Sequence, residues 1–153
     1  MIRNILAYLA YLIISVTFLL EIIFRLLPTT SPVDLQVIND KKDILKFYPN
    51  QIGRFSLGAN FYKITEKKTN NYGFYSSFDY FPNAKPNIAI IGDSFVQAAQ
   101  ITNQDTMGEV MQSERTNFKV YQFGVSGASI SQYIQMLKYT KKEFSPQHYV
   151  LVI

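Results

Sequence analysis

Asn87-Ile88-Ala89-Ile90-Ile91-Gly92-Asp93-Ser94-Phe95 decides how this chain is read. A short apolar run stops abruptly at a glycine, an aspartate and a serine. An unbroken run of this kind suits a strand covered on both faces, where apolar and polar positions need not alternate. Gly92 permits a sharp turn, and Ser94 then falls at the carboxyl end of the strand. In open α/β sheets that end is where ligands bind. Ser94 is the candidate nucleophile, with Gly92 and Asp93 as its supporting turn. Taken alone, a serine here also reads as a helix cap or a turn residue.

The chain beyond Ser94 follows a βαβαβ rhythm. Asp105-Thr106 reads as the cap of a helix running to about Ser113, with Met107, Val110 and Met111 at helical spacing. Phe118 to Phe123 reads as a second strand, ending in Gly124-Val125-Ser126-Gly127. Ser129 or Ser131 opens a second helix, with Ile130, Ile134, Leu137 and Tyr139 along it, and Pro146 breaks it. His148 to Ile153 is a third apolar strand. Strands separated by helices imply a parallel sheet with right-handed crossovers. Both glycine turns then project from one edge of that sheet. One offers a hydroxyl and the other offers unhindered backbone N–H groups, which is what an acyl-transfer site needs beside a developing oxyanion. The bland reading of Gly124 and Gly127 is a tight turn between strand and helix.

Upstream, Ile5 to Leu27 is apolar apart from Glu21 and Arg25. As a helix it rises roughly 35 Å at ~1.5 Å per residue, enough for a hydrocarbon core of about 30 Å. Glu21 and Arg25 stand one turn apart and can pair, Arg25 can snorkel towards headgroups, and Tyr8 and Tyr11 suit an interface. A cleaved signal peptide wants a small-x-small site, and Pro28-Thr29-Thr30-Ser31-Pro32 supplies none. A buried core helix needs partners that a short chain lacks. Residues 5–27 are therefore read as a single membrane anchor. Arg3 on one side faces Arg25, Lys41 and Lys42 on the other, so charge does not set its orientation. Residues 28–86 read as a linker and an irregular lead-in, with the mixed-charge stretch Asp40 to Asp43 and one or two short strands around a turn. Residues 87–153 form the α/β unit.

Composition narrows the function classes. Hydrophobic residues make up 48% of the 153 positions, which argues for a packed core against global disorder. The net charge of +4 comes from lysines and arginines scattered without a stripe, so nucleic acid is not an expected partner. The chain has no cysteine and one histidine, His148, so disulfides, thiolate metal sites and structural zinc are not expected. No cofactor is expected.

At its glycine turns the sequence resembles the GDSL-type, or SGNH, hydrolases. Ile91-Gly92-Asp93-Ser94-Phe95 is similar to the family's first block, which carries the nucleophile. Gly124-Val125-Ser126-Gly127 is similar to the second, which makes Gly127 the glycine whose amide serves the oxyanion. Asp105-Thr106 matches an acidic-Thr pair before the first helix. Asn70-x-x-Gly73-Phe74 resembles the lead-in of membrane-anchored, extracytoplasmic members, with Tyr75 where an arginine often follows. The resemblance implies a flavodoxin-like, three-layer parallel sheet of order 2-1-3-4-5, and Ser94 beside its switch point.

Two blocks of that pattern are not in this sequence. Family members carry Gly-x-Asn-Asp after the third strand and Asp-x-x-His near the carboxyl terminus, the latter supplying the general base. His148, at the start of the third strand, belongs at the opposite end of the sheet from Ser94. The expected fold is thus incomplete, and no general base is expected in this chain. Without a base a serine hydroxyl is a poor nucleophile at neutral pH. The leading expectation is an anchored esterase or acyl-ester hydrolase, inactive alone, acting on an acylated glycan or a lipid ester. A non-catalytic membrane-tethered binding module, an O-acyltransferase-like envelope protein and an inert fragment are the alternatives. An open sheet edge could accept a second chain carrying the missing blocks.

Overall fold

Nothing between Ile2 and Leu26 breaks a helix, and Pro28 ends it; those residues form α1. The computed structural model describes residues 2–36, 44–86, 88–114 and 117–153; the mixed-charge stretch at residues 40–43 and Asn87 lie outside them. α1 buries none of its residues and is long and apolar enough to span a membrane. Its one ion pair is the expected Glu21–Arg25 pair, at 2.8 Å.

The lead-in contains an antiparallel hairpin, β1 (Ile52–Leu57) and β2 (Lys63–Lys68), in register from Ile52↔Lys68 to Leu57↔Lys63. Alternation sets its faces: Gly53, Thr65 and Lys67 are buried while Ile52, Arg54, Ile64 and Glu66 face out.

Next come β3 (Ile88–Gly92), the one-turn α2 (Ser94–Gln97), α3 (Met107–Glu114), β4 (Val120–Gly124), α4 (Ile130–Glu143) and β5 (His148–Val152). The three strands are parallel in the order β4-β3-β5, with Gly92 level with Gly124 on one side and Val152 on the other. The chain is therefore mixed α/β, with a parallel three-stranded sheet behind an apolar helix.

The two faces of the sheet are packed unequally. Ile90, Val96 and Val120 form a small core on one face, with Met111 of α3 against it. On the other face Ala89, Ile91, Tyr121 and Phe123 meet Tyr133 and Met136 of α4 and Phe144 beyond it. The lead-in adds Val33, Ile44, Phe47, Phe74, Tyr75 and Tyr80 to this second core. Phe74 is fully buried with its ring edge-on to Phe123 at 4.9 Å. Asn70 sets it there, its Oδ1 accepting from the amides of Tyr72 and Phe74 at 3.0 and 3.1 Å. Sheet and helices alone span about 65 residues, a size at which cores are marginal; the lead-in aromatics enlarge this one.

Tyr80 also seals a sheet edge. Its hydroxyl donates to the Gln122 carbonyl at 3.0 Å and accepts from the Gln122 amide at 2.9 Å, occupying the side of β4 that has no strand partner. β5 has no such cover among the described residues, and Val150 and Leu151 are exposed on it.

One helix reading gains a detail and another needs correction. α4 turns Tyr133, Met136 and Thr140 inward, leaving Ile130 and Ile134 exposed. The buried stripe at i, i+3 and i+7 includes a threonine, which periodicity in apolar residues alone passes over. At α3, Asp105 accepts from the Thr102 hydroxyl at 2.6 Å and Thr106 donates to the Asn103 carbonyl at 2.6 Å, so both side chains are engaged upstream of the helix. Thr106 is drawn inward because it is fully buried and accepts from the Gln122 side-chain amide at 2.9 Å.

Candidate active site

Ser94 opens α2 immediately beyond β3 and is exposed. Asp93 precedes it as the N-cap, and its carboxylate accepts from the Phe95 amide at 3.0 Å. The aspartate thus shapes the turn rather than facing the serine hydroxyl as a base. Tyr133 of α4, almost fully buried, lies close to this turn. Burial, and then the nearby Asp93 carboxylate, raise the Tyr133 pKa, so the phenol stays neutral.

The second turn rises from β4 at the same level. Gly127 has φ of +79°, and a Cβ there would meet nothing within 4 Å. Glycine is required by backbone conformation at this position, with no contribution from crowding. The Ala128 amide closes the turn on the Val125 carbonyl at 3.1 Å, and the Val125 amide returns to the Gly92 carbonyl at 3.3 Å. Among the described residues, neither the Ser94 amide nor the Gly127 amide has an intramolecular acceptor.

Close approach explains the other two glycines. A Cβ on Gly124 would overlap the Gln97 and Val96 backbone, and one on Gly92 would overlap the Val96 side chain. α2 therefore lies directly on the ends of β3 and β4. Gln97, the last residue of α2, is buried and its side-chain oxygen accepts from the Ser126 amide. One side chain three residues after Ser94 thereby ties the serine-bearing helix to the turn carrying Gly127.

The site lies where the chain leaves β3 for β4 on one side and returns to β5 on the other, the usual position for a ligand crevice. Its chemical inventory is a free hydroxyl and two unpaired amides at one sheet edge. His148 is not part of it. It is the first residue of β5, level with Ile88, while Ser94 lies past Gly92. The rise from Ile88 to Gly92 alone is about 13 Å at ~3.3 Å per residue, which already puts His148 far beyond hydrogen-bond reach of Ser94. Among the described residues no group of three His, Asp or Glu side chains is arranged to hold a metal ion.

Ser94, Gly92, Asp93 and Gly127 were all legible as site candidates in the sequence. Gln97 was not, because a glutamine at that spacing carries no motif, and its role arises only when α2 meets the turn after β4. Comparison of the chain with family models, curated proteins and solved structures returns no match.

Proposed function

We propose that this chain is the membrane-anchored, nucleophile-bearing part of an SGNH-type acyl-ester hydrolase with an incomplete flavodoxin-like sheet. Ser94 attacks an ester carbonyl, and the amides of Ser94 and Gly127 receive the oxyanion. Proton transfer from the hydroxyl requires a base supplied from outside these residues. The substrate is an acylated glycan or a lipid ester, and the α/β unit lies on the extracytoplasmic side. The observation that carries this reading is the register Gly92↔Gly124, which brings both turns to one level of the sheet, with Gln97 linking them.

The same nucleophile serves transfer of an acyl group to a sugar, so an O-acyltransferase shares these roles. A membrane-tethered binding module is favoured by one separate observation, that His148, the one histidine, stands at the opposite end of the sheet from Ser94.

Nitrophenyl acetate hydrolysis by the full chain in dodecyl maltoside, with and without imidazole as an external base, tests the hydrolase reading. The expected result is negligible turnover alone and an imidazole-dependent increment above the free-imidazole rate, lost in Ser94→Ala. Equal increments in wild type and Ser94→Ala would leave only the binding module. Turnover without imidazole that depends on Ser94 would overturn the claim that the base is external.

A further inference from the structure

α1 ends at Leu26, and by Ser31 the chain is already paired with the hairpin, Ser31 bridging Arg54 in antiparallel sense. Five residues span at most about 17 Å at ~3.3–3.6 Å each, so the hairpin begins close to wherever α1 leaves its surroundings. Its direction follows from the pairing. Ser31 faces Arg54, and one residue nearer the anchor Thr30 meets Ser56, whose amide donates to the Thr30 hydroxyl at 3.1 Å. As the chain steps back toward α1, its partner strand advances toward Leu57. The hairpin tip therefore points back to the anchor.

That tip has an unusual surface for a soluble loop. Leu57-Gly58-Ala59-Asn60-Phe61-Tyr62-Lys63-Ile64 contains two aromatics, two branched aliphatics and one lysine, with no acidic residue. Tyr62 is 69% exposed and Ile64 49%, and Leu57 and Lys63 are exposed beside them. The Tyr62 ring lies against Gly58, where a Cβ would overlap it, so its exposure is that of a ring held in place. Tyrosine and lysine at a boundary, with aliphatics beneath, match the headgroup region of a bilayer. The lysine can extend to headgroup phosphates while its stem stays apolar.

We propose that the tip of the β1–β2 hairpin rests in the headgroup zone of the membrane that holds α1, with Leu57, Tyr62 and Ile64 as its apolar contacts. The proposal rests on the reading of α1 as an anchor and gives the α/β unit a second point of attachment. The inner face of the hairpin is joined to the segment after α2, with the Thr65 hydroxyl donating to the Gln100 carbonyl at 3.2 Å. Thr30, Ser31 and Pro32 also share the lining of a cavity of about 90 Å³ with Gln97 and Ala99. The hairpin is thus joined directly to the chain just beyond the helix that carries Ser94.

The chain has no tryptophan, so a single introduced one reports its own surroundings. The full chain is reconstituted in phosphatidylcholine vesicles brominated near the headgroup end of the acyl chains, as Tyr62→Trp, Ile64→Trp, Tyr11→Trp and Phe81→Trp in turn. Phe81 is 60% exposed and lines a cavity with Lys119, at the end of β4 away from Gly124. The expected result is loss of emission by bromine quenching at positions 62 and 64 with little change at 81. Ile64→Trp repeats the measurement at a site that does not pack on Gly58. Quenching at 11 without quenching at 62 or 64 would overturn the hairpin contact and leave the anchor standing. No quenching at 11, 62 or 64 would overturn both. A blue shift at 62 without bromine quenching would mean that protein, not lipid, covers the tip. Equal quenching at 62 and 81 would equally refute a specific contact.

Discussion

Replacing Lys67 by methionine should stabilise the protein at neutral pH, by an amount that depends on pH in a defined way. Lys67 lies on the inner face of the hairpin, 2% exposed, and its ammonium has no hydrogen-bond partner among the described residues. The nearest compensation is the Tyr75 ring, 5.2 Å from Nζ to centroid, with Glu109 and Asp105 acting at longer range. Burial wins, and the pKa falls from 10.5 to about 8. A drop of 10.5 − 8 = 2.5 units corresponds to about 3 kcal/mol, which solvent screening trims to about 2–3. Below pH 8 folded and unfolded chains both hold the proton, and the folded state carries the full penalty. Between pH 8 and 10.5 the unfolded chain binds more protons, so wild-type stability rises with pH and the penalty disappears. Methionine fills similar volume without a charge. Urea unfolding in dodecyl maltoside, followed by the near-ultraviolet dichroism of the tyrosines, should put Lys67→Met about 2–3 kcal/mol above wild type at pH 7. The gap should close towards pH 10.5. Taking the difference at each pH cancels the titration of tyrosines such as Tyr75 and Tyr80, whose pKa values burial raises in the folded state. A gap independent of pH, or a variant less stable than wild type at pH 7, would refute the reasoning.

Gly127→Ala should cost about 1 kcal/mol in the same assay, since only the positive φ opposes it, and should abolish the imidazole-dependent ester hydrolysis of the intact chain. Gly124→Ala should cost more, about 3 kcal/mol, because its Cβ meets backbone that cannot swing away; equal losses for the two would show that α2 is not seated on β4 as described. Tyr80→Phe removes the group that satisfies both backbone atoms of Gln122, and leaving them buried should cost about 1–3 kcal/mol. Hydrogen exchange should then quicken at the Gln122 amide; an unchanged rate would mean that the Tyr80 hydroxyl does not protect this edge.

The strands, both glycine turns and α1 were legible because each depends on local chemistry: apolar runs, residues that break them, and a helix-length stretch with two charges. Gly127 could be singled out for the same reason, as its positive φ belongs to one turn. The division of labour along α4 was not, since Ile130 and Ile134 satisfy the helical period as well as Tyr133 and Met136 do. Which stripe is buried depends on where the sheet lies. Lys67 reads as a surface lysine in an otherwise polar strand, and only the packing of residues 31–33 and Tyr75 around the hairpin buries it.

By itself, then, the sequence determined that a serine would stand at the end of a buried parallel strand, with a glycine turn following the next strand and an apolar helix ahead of both. Tertiary structure decided that Gly92 and Gly124 sit level, that Gln97 ties the two turns together, and that His148 stands at the opposite end of the sheet from Ser94, level with Ile88. The physical reason is one of range. Turn and strand preferences act over a few residues, whereas register, burial and the approach of one side chain to a distant amide exist only once separate segments have packed together.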